Sequence, residues 1–197
     1  MNLSHFKTIA LLSICLPVAS LSAQCEFIVE DIDFFDSTRL LTSKPVPIGF
    51  LIPSMYETIK GPRLIDEAQA MFSFTESARE DSINSFFLTL LAEEYDFLSI
   101  ESDQNVLLAL EDSTVVGLLN FPDRGTFNPK TNMRLYQHTC VVPIDILYRL
   151  SFSKIIMIRI EYENKKKTIA LSNDQQKELQ KIFRCVGERA GLFKDKP

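Results

Sequence analysis

Residues 154–190, KIIMIRIEYENKKKTIALSNDQQKELQKIFRCVGERA, decide the fold class. The first ten alternate. Ile156, Ile158, Ile160 and Tyr162 share one face and Arg159, Glu161 and Glu163 the other, the period of a half-buried strand. Residues 164–167 read as a turn and residues 168–171 as a short strand pairing back. The period then lengthens. Leu179, Ile182, Phe183, Val186 and Ala190 form one stripe of a helix running from Asp174 to about Ala190. Ser172 and Gln175 hold the two positions of a capping box, in which the hydroxyl meets a free helix N–H and the amide reaches back. Gly191 suits the helix end, where the backbone turns left-handed. A hairpin followed by an amphipathic helix predicts an α+β fold. Its body is a mainly antiparallel β-sheet, in one layer or two, with a C-terminal α-helix packed on one face.

Toward the N-terminus, residues 145–152 predict one or two helical turns with Ile146, Leu147 and Leu150 inward. Residues 136–144 read as a strand, and residues 122–131, with Gly125 and Pro129, as a loop. Segments 97–101, 106–110 and 114–121 follow in quick succession with turns at 103–105 and 111–113, a β-meander pattern. Residues 83–92 predict a strand with Phe86, Leu88 and Leu90 on one face and Phe87 and Leu91 on the other. Apolar residues on both faces suit a strand inside a layered core. Gly61-Pro62 breaks the stretch 53–81, and residues 64–71 predict a short helix. Residues 40–52 are extended, with Pro45 and Pro47 favouring an edge or irregular path. Residues 26–35 form a strand, followed by a turn at Asp36-Ser37-Thr38.

Residues 1–23 read as a signal peptide, with Lys7, an apolar run at 8–18 and small residues before the cut. The run is too short for a transmembrane helix, which needs about 20 apolar residues. No later stretch qualifies, so no integral membrane span is expected. Residues 24–197 are then one globular domain in a secreted or periplasmic setting. In the alternative, Cys25 is lipid-anchored, because residues 21–25 (LSAQC) resemble a lipobox apart from Gln24. An oxidising compartment favours disulfides, and Cys25, Cys140 and Cys185 allow one bridge. Cys25 and Cys185 lie near the domain ends, which are often close in space, so they are the expected pair. Such a long loop stabilises by about 4–5 kcal/mol on the chain-entropy model. Cys140, in an apolar strand, is expected as a buried thiol.

The chain has 197 residues, 46% hydrophobic and 24% charged, an ordinary globular balance. A net charge of −5 argues against broad nucleic-acid binding, which needs a basic surface. Two histidines exclude a His-rich metal site. Glu26, Glu30, Asp31, Asp33 and Asp36 offer the oxygen ligands Ca²⁺ prefers, but without the glycine and terminal glutamate of an EF-hand loop. They read as solvated strand faces, and no metal or cofactor is expected. Glu93/Glu94 and Glu111/Asp112 read as exposed turn charges, and Lys165-Lys166-Lys167 as a solvated basic turn. His138 has the chemistry of a general base, yet a lone strand histidine reads as structural. The chain holds no nucleophile elbow, zinc-protease helix, phosphate loop or dinucleotide fingerprint.

Several pieces together carry a resemblance: Cys25, Asp33-Phe34-Phe35-Asp36, residues 106–120, 136–150 and 154–160, and Cys185. The chain resembles a group of uncharacterised secreted proteins of Bacteroidota-like bacteria. It departs from their pattern at Phe35-Asp36, where Phe-Thr-Gly is common. The group brings no activity, so no catalytic residue follows from the resemblance. The expectation is a non-catalytic binding or structural domain with a protein or small-molecule partner. The alternatives are a carrier of a small apolar ligand, its pocket lined by the Phe-rich strands, and a hydrolase using carboxylates.

Overall fold

The computed structural model describes residues 26–51, 66–77 and 82–193. The expected signal peptide, Cys25 and Gly61-Pro62 lie outside them. Among the described residues eleven strands form one antiparallel sheet. They are β1 (Phe27–Ile32), β2 (Thr38–Ser43), β3 (Val46–Leu51), β4 (Asp66–Ser77), β5 (Ser82–Glu94), β6 (Asp103–Leu110), β7 (Val115–Asn120), β8 (Thr126–Asn128), β9 (Met133–Val141), β10 (Ile155–Tyr162) and β11 (Lys165–Ala170). Their order is β1-β2-β4-β5-β9-β7-β6-β10-β11, with β3 added to β4 and β8 to β9. Helix α1 (Ile144–Phe152) links β9 to β10, and α2 (Asn173–Arg189) follows β11.

Of the short helix predicted at 64–71, the described residues 66–71 are strand instead. In β4, Ala68, Ala70, Phe72 and Phe74 are buried alternately, and the strand pairs with β2, β3 and β5. Alanine and glutamate are good helix formers, but intrinsic propensity is worth under about 1 kcal/mol per residue, and a two-sided ladder with a buried face overrides it. Three smaller differences have local causes. Residues 103–105 open β6 rather than turn the chain, and residues 97–101 form a loop with one bridge, Ile100 to Asp123. The hairpin between β10 and β11 is tighter than expected, so Lys165–Lys167 are strand residues. A register shift between Ile155 and Met157 buries Ile155, leaving Ile156 half-buried.

The sheet curls on itself. β11, at one end of the strand order, returns to lie against β3. A Cβ on Gly49 would sit 2.9 Å from Ile169 Cγ2, and Gly49 has φ +124°, a conformation that favours glycine. Inward side chains then share one core that includes Phe72, Phe74, Leu90, Leu108 and Ile158.

Helix α2 matches its sequence signals. The Ser172–Gln175 capping box is formed, Leu179, Phe183 and Val186 are buried, and Gly191 has φ +72°. Phe183 meets Phe72 edge to face at 5.0 Å. Ser151 Oγ of α1 donates to Leu147 O at 2.8 Å and is 3.1 Å from Phe183 O, joining the two helices. Near the helix end, Arg189 Nη2 lies 3.0 Å from both oxygens of Glu76, which also accepts from Arg39 at 2.7 Å. Cys140 is a free, buried thiol, pushed up to about 12 by its burial.

Candidate functional site

The inward positions of β9 hold Tyr136, His138 and Cys140, all fully buried. His138 Nε2 is 3.0 Å from the Tyr162 hydroxyl of β10, and its Nδ1 is 3.2 Å from Asn120 Nδ2 of β7. With the amide so placed, Asn120 donates to Nδ1 and the Nε2–H donates to Tyr162. Burial pushes the imidazole down to about 4, weakly opposed by Asp123, so the ring is neutral at pH 7. Burial also raises the Tyr162 hydroxyl, and the nearby Glu94 carboxylate raises it further. A general base must reach the proton it abstracts. His138 has no exposed surface, and its two ring nitrogens are spent tying β7, β9 and β10 together.

Two charge readings are corrected. Glu94 is not an exposed turn charge, and Lys167 is not part of a solvated turn. They form an ion pair at 3.2 Å with side-chain exposures of 0% and 8%. The pair spans from β5 to β11, with four strands between them in the ladder. Tyr136 completes this polar region. Its hydroxyl accepts from Leu98 N at 2.7 Å and donates to Asp96 O at 3.2 Å, pinning the loop after β5. By contrast, Glu93 is half-buried and accepts from Asn128 Nδ2, and Lys166 pairs with Glu161 at the surface. Glu111 and Asp112 do occupy a turn, where Asp112 Oδ1 accepts from Thr114 N and Oγ1.

The acids of the first hairpin do not converge. Glu26 pairs with Lys44. Asp31 accepts from Ile32 N, Asp33 from Phe35 N at 2.7 Å, and Asp36 from Thr38 N at 2.8 Å. Asp33 and Asp36 thus shape the turn, an ordinary role for Asp side chains. Among the described residues no three His, Cys, Asp or Glu side chains gather as a metal site.

The same turn presents the most exposed aromatic rings among the described residues. Phe34 is 93% and Phe35 87% exposed, their rings edge to face at 6.1 Å. Ile28 and Ile32 of β1 are exposed beside them in sequence. No helix of the described residues is long and apolar enough to cross a membrane. The Phe-rich strands put Phe72, Phe74 and Phe86 into the packed core. Comparison with known proteins finds no matching family model, no matching curated sequence and no matching solved structure. The functional reading therefore rests on this geometry.

Proposed function

We propose that the chain is an exported, non-catalytic binding domain that engages a protein partner through the β1–β2 turn. The observation that carries this is Phe34, held almost fully in water by a turn whose backbone Asp33 and Asp36 organise. Aromatic side chains bring large apolar area to interfaces, and a partner would recover that area. Asp31, Asp33 and Asp36 surround the rings in sequence, so the partner is an apolar pocket with a basic rim.

A photo-crosslinking phenylalanine analogue at position 34 tests the reading in the producing cell. The expected result is one discrete adduct, competed away by excess unmodified protein. An absence of adducts, or adducts indifferent to competition, overturns it. Phe34→Ser at this exposed site leaves the melting temperature unchanged, so loss of capture is not loss of fold.

Export and the Cys25–Cys185 bridge belong to the same proposal. Glu26, the residue after Cys25, lines one cleft with Lys181 and Ile182, and Cys185 lies one helical turn past Lys181. Intact mass should show a chain starting at Gln24, and alkylation without reductant should leave Cys25 and Cys185 unlabelled. An acylated species starting at Cys25 means a lipid anchor and removes the bridge.

A further inference from the structure

Helix α1 is apolar on two sides. Leu147 and Leu150 face the core, and Ile146 is half-buried. The outer side carries Ile144, Tyr148 and Phe152, which are 57%, 53% and 41% exposed. They stand four residues apart, and such residues are neighbours on a helix, so the three form one stripe. A helix that covers a core on one side alone keeps its outer side polar, and one that is apolar all round is buried all round. The stripe continues onto the end of α2. The Phe152 ring lies 5.0 Å from both the Tyr148 and the Phe193 rings, and Tyr148 lies 5.7 Å from Phe193. Phe193 is seated against Gly187, where a Cβ would come within 2.4 Å of its ring. Single exposed apolar residues are ordinary, but contiguous patches mark contact surfaces.

The charges beside the stripe indicate what covers it. Asp145 lies in the first turn of α1 and Arg149 in the last, both exposed and on the same flank of the stripe. Among the described residues neither is within ion-pair distance of an opposite charge. A second copy laid antiparallel on the first sets Asp145 beside the partner's Arg149, and twofold symmetry makes that pair twice. The same arrangement sets Tyr148 against the partner's Tyr148, and Ile144 against the ring end of the partner's stripe. It also opposes the two helix dipoles. The surface is thus complementary to itself in both charge and shape.

We infer that the outer face of α1 is the contact of a homodimer, two copies of this chain related by a twofold axis with their α1 helices antiparallel. A partner of another sequence would need both the apolar stripe and the reversed charges, and this chain already carries both. The contact is small. One short helix and the Phe193 ring fall below the roughly 800 Å² per partner of a standard interface. The dimer is therefore weak, and its population follows concentration. It uses no residue of the Phe34 turn and does not rest on that reading.

Sedimentation velocity of the protein as isolated from the producing cell tests the inference. The expected result is reversible self-association, the mean mass rising from one chain towards two between about 10 µM and about 1 mM. Tyr148→Ser, at an exposed position, should leave the chain monomeric over that range, with the melting temperature of the dilute protein unchanged. Asp145→Arg and Arg149→Asp should each weaken the dimer about tenfold, because like charges then face each other. An equimolar mixture of these two variants should restore it, because every facing pair is again opposite. A merely structural role for the two charges would not give that rescue. Phe34→Ser should dimerise as the parent does. A parent that stays monomeric up to about 1 mM overturns the inference, even if it captures a different protein through Tyr148. So does a dimer that Tyr148→Ser leaves intact, a dimer that Phe34→Ser abolishes, or a mixture of the charge variants that stays monomeric.

Discussion

The two ends of the curled sheet solve burial differently. At the helix end, Phe72, Phe183, Val186 and Leu150 fill space with apolar side chains, and Glu76 reaches its two arginines at a partly exposed edge. At the other end, Glu94, Lys167, Tyr162, His138 and Asn120 bring polar groups inside. Apolar packing is non-directional and tolerant of conservative change. A buried polar group stabilises only while its partner is in place. The helix end should therefore fail gradually, and the polar end should fail on single deletions.

The largest effect is expected at the ion pair. Lys167→Met takes the cation of the ion pair away from the buried Glu94 carboxylate, and should cost about 3–5 kcal/mol of unfolding free energy in urea titration at pH 7. Lys167→Met with Glu94→Leu removes both charges and should recover most of that loss. A double variant as unstable as the single would mean that the pair contributes more than mutual neutralisation. Phe183→Ala, at the helix end, should cost a similar 3–5 kcal/mol through the cavity it leaves against Phe72. Its loss should be equal at pH 5 and pH 8, because no titrating group loses a partner.

The next effect separates the ends by pH. His138 has a folded value of about 4 against an ordinary 6.5, so the unfolded chain takes up its proton first as pH falls. Its contribution is complete above pH 6.5 and is lost progressively from there down to about pH 4. The whole shift amounts to about 3 kcal/mol. His138→Gln should therefore flatten the stability curve between pH 6.5 and 4 relative to the parent. Two parallel curves would show that the imidazole titrates normally in the folded protein, and hence that water reaches it.

The polar end was the less legible part of the sequence. The strand at 154–163, the capping box and the apolar stripe of α2 are patterns within about twenty residues, and each is where its pattern puts it. Glu94 and Lys167 meet only because the sheet curls β11 back, which no local spacing encodes. Each alone looks like a surface charge. The strand β4 was misread for a related reason: its alanines and glutamate suit a helix, and only its ladder partners decide otherwise. His138 was legible as a structural residue but not as the link between Asn120 and Tyr162.

The smallest effect tests the most legible feature. Ser172 accepts from Gln175 N at 3.4 Å, and Gln175 Oε1 accepts from Ser172 N at 2.8 Å. Ser172→Ala removes the first bond and should cost about 1 kcal/mol. The helix N-terminus is exposed, so water replaces the lost acceptor, whereas the Glu94 side chain has no exposed surface for water to reach. The expected ratio between the two losses is at least threefold. A cap loss as large as the ion-pair loss would mean that α2 holds the sheet curled and that its first turn nucleates this. A capping box is readable because it is local and solvated, and for the same reason its removal is cheap. The pair across the curl is unreadable because it is distant in sequence and dry, and that dryness makes its removal expensive.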